Sequence, residues 1–271
     1  MTGGCLGLGR ELLHILITSF QCNVINLDIR ESEFKAIKTQ YKDKVKNISC
    51  NIAQVDDIIK FLKENNVNPD NIDIIINNAA IANNSLIKDL SKEQIVRAIE
   101  INLLSPMKII KSFIDNKNNN KSLSNKSIHF VTLCSCFSHI ASPNSCDYIA
   151  SKLGLYGFVD CIRSEYLYNK NYIFTTICPY ALDTGMFSFF FMGLKAKSVS
   201  KEIIKSIALK ETVKFIPIFL YIPVFLYKFS PTFIGDFLQK NIVNKLICNI
   251  GRRKDNDILF NKKKILNKSI F

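Results

Sequence analysis

Short apolar runs alternate along this chain with longer stretches in which apolar residues return every three or four positions. "CNVINLD" (22–28), "KVKNISC" (44–50), "IDIIINNA" (72–79), "KSIHFVTLCS" (126–135) and "YIFTTICP" (172–179) have the length and the β-branched content of strands. "IDIIINN" is apolar nearly throughout, which suits a central strand covered on both faces. Amphipathic segments near 9–20, 31–41, 54–66, 91–115 and 146–168 fall between these runs. Strand and helix in alternation predict right-handed crossovers and an α/β fold built on a doubly wound parallel sheet.

Two connections break the rhythm. "NKNNNKSLSNK" (116–126) is polar and of low complexity, and reads as a floppy surface insertion without function. After Pro179 comes "YALDTGMFSFFFMGLKAKS", too long and too apolar for a plain connector, and it reads as a lid or binding wall. Phe187, Phe189, Phe190 and Phe191 within it are candidates for an apolar substrate wall. Farther on, "FIPIFLYIPVFLYKF" (215–229) is the longest greasy stretch. It holds two prolines and a lysine and falls short of the roughly 20 residues that cross a bilayer, which leaves a monotopic contact.

With 271 residues, 48% hydrophobic, the chain has material for one large buried core. The net charge of +13 owes much to Arg252, Arg253, Lys254, Lys262, Lys263, Lys264 and Lys268. Such an excess reflects either a lysine-rich bias or attraction to an anionic surface. No zinc finger, helix-turn-helix or aromatic RNA-binding pattern accompanies it, so lipid headgroups are a better match than nucleic acid. The nine cysteines form no CxxC pair and no metal spacing with histidine, as expected in a reducing compartment. His14 and His129 read as structural, and for His139, on the loop from Ser135 toward Tyr148, contact with substrate is the lesser reading.

"TGGCLGLGRE" (2–11) places glycines at 3, 7 and 9 ahead of a helix. Glycines there let the backbone turn tightly and bring a helix N-terminus against a pyrophosphate. Asp28 follows nineteen residues after Gly9, at the end of a strand, where an acid accepts hydrogen bonds from an adenosine ribose and repels a 2′-phosphate. NAD is therefore expected rather than NADP, although Arg30 lies close by. The strand that opens such a sheet is not evident before Thr2, and the sequence is read as apparently lacking it, as an N-terminally truncated product would.

Tyr148 and Lys152 stand at i and i+4, on one face of a helix. Ser135 ends a strand thirteen residues earlier, Asn102 lies inside the long helical segment 91–115, "NNAA" (77–80) follows the central strand, and Thr184 comes five residues after Pro179. Active-site groups collect at the carboxyl ends of parallel strands. TGxxxGxG, NNA, the helix asparagine, and Ser followed by YxxxK, in this order and spacing, resemble the short-chain dehydrogenase/reductase family from Thr2 to about Thr184. Residues 180 to 253 are similar to the branch that holds epidermal retinol dehydrogenase and the lipid-droplet 17-beta-hydroxysteroid dehydrogenases.

The resemblance implies a Rossmann-like dinucleotide-binding and catalytic domain over 1–212, with 213–271 an apolar, basic extension packed on that domain or on a membrane surface. It implies four catalytic residues, Asn102, Ser135, Tyr148 and Lys152, and NAD held by Gly3, Gly7, Gly9, Asp28, Asn51, Asn78, Ala79, Tyr148, Lys152, Pro179 and Thr184. Tyr148 is the expected general acid and base, with Lys152 lowering its pKa, Ser135 steadying the substrate oxygen, and Asn102 holding a water on a proton path. Asn51 stands where the family usually has aspartate, Ala80 where NNAG has glycine, and Cys134 where a serine is usual. The implied substrate is a hydrophobic alcohol or ketone such as a retinoid or steroid. A homodimer and a site at the endoplasmic reticulum or lipid-droplet surface are also implied, or the cytoplasm if the chain is unanchored. The competing expectation is an inactive, lipid-binding remnant of such an enzyme.

Overall fold

The computed structural model describes residues 1–184, 186, 193–238, 240 and 241. Two parallel sheets form. One pairs β1 (Val24–Asp28) with β2 (Val45–Ser49), and the other runs β3 (Ile74–Asn77), β4 (Ile128–Leu133), β5 (Tyr172–Pro179) and β6 (Val213–Ile216) in that order. Between β1 and β3 lies the start of the chain. Leu27 N–H donates to the Met1 carbonyl, Gly3 N–H to the Leu27 carbonyl, and Thr2 N–H to the Ile76 carbonyl at 3.0 Å. Met1–Gly3 thus bridges the two sheets at their carboxyl ends. This is where the sequence leaves the first strand unaccounted for.

Helices cover both faces, as a fully buried strand such as β4 requires. On one face α1 (Gly7–Thr18), α2 (Phe34–Tyr41) and α7 (Ala196–Ala208) pack Leu12, Leu13, Ile37 and Ile203 against Ile76 and Val131. On the other, α3 (Ile58–Glu64), α5 (Ser105–Asn119) and α6 (Cys146–Glu165) pack Leu62, Ile110, Phe113 and Leu155 against Ile75 and Phe130. Phe130 stacks on Phe174 at 5.3 Å between ring centres. Each such side chain, fully buried, stabilises the fold by about 1.5–3 kcal/mol.

Local chemistry sets the element ends. Asp57 caps α3 by accepting from the N–H groups of Ile59 and Lys60. Ser91 and Gln94 form a reciprocal capping box at the start of α4 (Lys92–Ile99). The segment that reads as one long helix is α4 and α5 separated by a π-turn over Glu100–Leu104, and the turn carries Asn102.

Several expectations are corrected. The strand Val213–Ile216 opens the stretch that reads as an extension, yet it hydrogen-bonds β5 as the sheet's edge. Helix α7 has no counterpart in the sequence reading, because its apolar positions follow a long greasy loop that masks their period. The insertion 116–126 is tied down rather than floppy: the Asp70 carboxylate accepts from Asn116 at 2.9 Å and from Asn120 at 3.1 Å, and its carbonyl accepts from Lys126 at 2.6 Å. Polar composition hides this, since the ties run to residues about fifty positions away. Phe187, Phe189, Phe190 and Phe191, and the basic cluster after residue 250, lie outside the described residues. Among the described residues no helix is long and apolar enough to cross a membrane.

Candidate active site

The carboxyl ends of the strands open into one cleft of about 550 Å³. Gly3, Gly7, Gly9, Asp28, Asn51, Asn78, Ala79, Ser135, Tyr148, Lys152, Pro179 and Thr184 all line it. These are the residues singled out in the sequence, from positions spread over more than half the chain. Only Asn102 of that set stands behind the wall, fully buried.

The glycine turn is built so that no side chain fits. A Cβ at Gly9 would sit 1.9 Å from the Gly3 carbonyl oxygen and 2.6 Å from Asn78 Nδ2. Gly3 and Gly7 hold φ of +71° and +54°, the left-handed region that favours glycine. The turn is pinned from β3: Asn78 Nδ2 donates to the Thr2 and Gly3 carbonyls at 3.1 and 2.8 Å, and Thr2 Oγ1 accepts from the N–H groups of Asn78 and Ala79. The result is an open backbone cradle at the N-terminus of α1, whose first N–H groups suit a phosphate. The donor set and the shape fit a dinucleotide.

Asp28, at the end of β1, is held on both oxygens. Oδ2 accepts from Cys5 N–H at 2.9 Å and Oδ1 from Arg30 N–H at 3.0 Å. The acid therefore also staples the glycine turn to the β1 terminus, a role the sequence does not disclose. Asn51 begins a short turn by accepting from Ala53 N–H at 3.3 Å and still faces the cleft. Arg97 and Ile101, from the α4 end, line the same region, and no sequence signal singles them out.

At the opposite end Tyr148 and Lys152 descend from α6 beside Ser135, all three buried. The Tyr148 phenol hydrogen-bonds Ser135. Ser135 Oγ accepts in turn from Phe137 N–H at 3.2 Å, which fixes the hydroxyl at the end of β4. Lys152 Nζ donates to the Leu133 carbonyl at 2.6 Å and sits 5.9 Å from the Tyr148 ring centre. Burial raises the phenol well above its ordinary pKa, against the Ser135 hydrogen bond, and burial lowers Lys152. The expected lowering of the phenol by Lys152 is thus not expressed in the protein alone. Cys134 and Cys136, on either side of Ser135, are both pushed by burial up to about 12, so they stay neutral thiols at pH 7.

Asn102 acts by clamping. Its Oδ1 accepts from Ile81 N–H at 2.8 Å, and its Nδ2 donates to the Ile81 carbonyl at 2.8 Å and to Ser151 Oγ at 3.0 Å. Ser151 Oγ donates to the Tyr148 carbonyl at 2.6 Å. The side chain expected to hold a water is therefore engaged with protein, joining the loop after β3 to the turn of α6 that carries Tyr148.

His139 does not line the cleft; its ring meets Tyr156 edge-on at 4.4 Å and Phe215 at 5.4 Å. Asp147 is buried in the first turn of α6 and accepts from Asn83 Nδ2 at 2.6 Å. Phe137, Tyr180, Leu182 and Met186 complete an apolar wall beside Tyr148. The first two follow Ser135 and Pro179 by two and one residues, a proximity that a search of strand ends would have found.

Comparison with known proteins agrees with this construction. A sequence profile described as short chain dehydrogenase matches residues 1–192. The 3-oxoacyl-(acyl-carrier-protein) reductase FabG of Buchnera aphidicola subsp. Baizongia pistaciae is 28% identical over 205 residues, 76% of this chain and 80% of that protein. Epidermal retinol dehydrogenase 2 of Homo sapiens is 25% identical over 248 residues, 87% of this chain and 78% of that protein. Among solved structures, a short chain dehydrogenase/reductase from Burkholderia phymatum in complex with NAD superposes with a TM-score of 0.74 at 14% identity, covering 84% of this chain and 91% of that one. The chain belongs to the short-chain dehydrogenase family of oxidoreductases.

Proposed function

We propose that this oxidoreductase moves a hydride between NAD(H) and a hydrophobic alcohol or ketone, a retinoid, steroid or similar lipid, with Tyr148 as general acid and base. The observation that carries the reading is the convergence of Tyr148, Ser135 and Lys152 at the end of the cleft walled by Phe137, Tyr180, Leu182 and Met186. The glycine cradle and Asp28 hold the dinucleotide, which when bound supplies or accepts the hydride. Ser135 donates a hydrogen bond to the substrate oxygen, and Tyr148 delivers or removes the proton there. Lys152 leaves the Leu133 carbonyl to share its charge with the phenolate as that forms. Asp28 presents a negative charge where a 2′-phosphate would sit, which favours NAD over NADP. The likeness to epidermal retinol dehydrogenase 2 supports a lipid substrate. A homodimer working at an endoplasmic reticulum or lipid-droplet surface completes the reading.

Titration of the protein with NADH, followed by nicotinamide fluorescence, tests it together with turnover on a panel of retinols, steroids and fatty alcohols. Saturable NADH binding and turnover of at least one apolar alcohol are expected. Absence of NADH binding would overturn the proposal and favour the inactive lipid-binding remnant.

A further inference from the structure

We infer that α8 (Tyr221–Phe229) and α9 (Thr232–Leu238) form a docking element that lies in the headgroup region of an anionic lipid surface, beside the substrate end of the cleft. A surface helix in water turns its apolar stripe inward. Here the arrangement is reversed. In α8 only Val224 is buried. Ile222, Phe225, Leu226 and Phe229, with Phe233 and Phe237 of α9, keep between 60% and 73% of their surface exposed. Six large apolar side chains on two adjacent short helices make a patch of the kind that marks an interaction site.

Charge selects the occupant. No carboxylate occurs between Glu211 and Asp236, and Lys228, in α8, and Lys240, two residues past α9, are exposed. Residues 241–271 add eight basic residues against two acidic ones. An apolar patch set among cations matches acyl chains below anionic headgroups better than it matches a second copy, whose own cations would face these. The two helices hold nine and seven residues, enough to lie in an interface and far too short to span one.

The patch is coupled to the cleft through rings. Tyr221 meets Phe215 at 4.6 Å and donates to the Val213 carbonyl, Phe215 meets His139, and Tyr180 N–H donates to the Ile216 carbonyl. Tyr180 and Phe137 belong to the cleft's apolar wall. A docked patch thus sets that wall near the lipid, where an apolar alcohol would enter. The delivery role rests on the oxidoreductase reading above, and the docking does not.

The chain contains no tryptophan, so a single introduced indole reports without background. The full chain carrying Phe225→Trp is mixed with phosphatidylcholine vesicles with and without phosphatidylserine. Phe20→Trp, exposed in the turn between α1 and β1 at the amino end of the strands, serves as control. With vesicles, the emission of the Phe225→Trp protein should shift to the blue, most strongly with phosphatidylserine, and that of the control should not move. Ile222→Glu with Leu226→Glu should weaken vesicle partition at least about tenfold while the unfolding midpoint holds. Three results overturn the inference. Blue emission from position 225 before lipid is added means that residues of this chain cover the patch. Emission that follows protein concentration without lipid means that a second copy covers it. Emission that vesicles leave unchanged means that the patch does not dock. Vesicle binding by a protein that fails to bind NADH upholds the docking and removes the oxidoreductase reading.

Discussion

Lys152 Nζ lies 2.6 Å from the Leu133 carbonyl oxygen, one strand end away from the phenol it is expected to serve. Burial holds the Tyr148 phenol protonated well above neutrality, against the Ser135 hydrogen bond. On the proposed function, proton transfer at Tyr148 would require a positive charge in the cleft and Lys152 turned toward the phenol. Tyr148→Phe removes the atom that carries that proton. We expect kcat to fall about 10²–10⁴-fold while NADH affinity stays within about threefold. Comparable turnover by the variant would falsify the role given to Tyr148. Lys152→Met should lower kcat and also move the alkaline limb of the kcat profile upward, which a merely structural lysine would not do.

Asn102 makes a different kind of contribution. Its amide closes a two-way bond with Ile81 and reaches Ser151, whose hydroxyl holds the Tyr148 carbonyl. Asn102→Ala leaves the Ile81 N–H and carbonyl without these partners in a partly buried place, at a cost of about 1–2 kcal/mol. The expected outcome is a lower denaturant midpoint together with a fall in kcat. Asn102→Asp accepts from Ile81 N–H yet donates to neither the Ile81 carbonyl nor Ser151, and should recover only part of each loss. If both variants unfold like the parent, Asn102 is not a clamp.

How far the sequence reaches follows from what each residue type does locally. Glycine spacing, an acid at a strand end and a tyrosine–lysine pair one helical turn apart are short-range signals. The cleft collects all of them because parallel strands end together. The short edge strand Val213–Ile216 is hidden inside a longer greasy run, where strand and helix look alike. The ties of Asp70 to Asn116 and Asn120, and of Asp147 to Asn83, join residues far apart in sequence, and polarity alone does not announce them. The state of Lys152 escapes the sequence for a similar reason: its partner is a main-chain carbonyl, which every residue possesses.

Asp28 shows why selectivity and stability must be separated. Its two oxygens accept from Cys5 and Arg30 N–H, so its charge and its capping act through one group. Asp28→Asn keeps an acceptor for one of these N–H groups and removes the charge. We expect the NADP to NAD ratio of kcat/KM to rise at least about tenfold, with a stability loss of about 1 kcal/mol. Asp28→Ala should give the same relaxation with a larger loss, since both N–H groups then lack this acceptor. Equal ratios in parent and variants, measured with both cofactors at several concentrations, would show that Asp28 does not select.

His129 gives a prediction that needs no cofactor. It sits on β4, buried, with Nε2 2.8 Å from Thr175 Oγ1 on β5. Burial lowers its pKa from 6.5 to about 4, with the Lys210 charge adding to the effect. The unfolded chain takes up this proton near pH 6.5 and the folded chain only near pH 4, so between these values the unfolded state binds more protons. Stability contributed by the neutral ring is present above pH 6.5 and lost as pH falls through that window. The full loss is about 3 kcal/mol, at roughly 1.4 kcal/mol per pH unit. Replacing both partners, His129→Leu with Thr175→Val, removes the titration without leaving an unpaired hydroxyl. Urea unfolding at about pH 7 and about pH 4.5 should show the parent losing more stability on acidification than the double variant, by about 2–3 kcal/mol. Parallel losses in the two proteins would mean that His129 is already accessible to protons in the folded state.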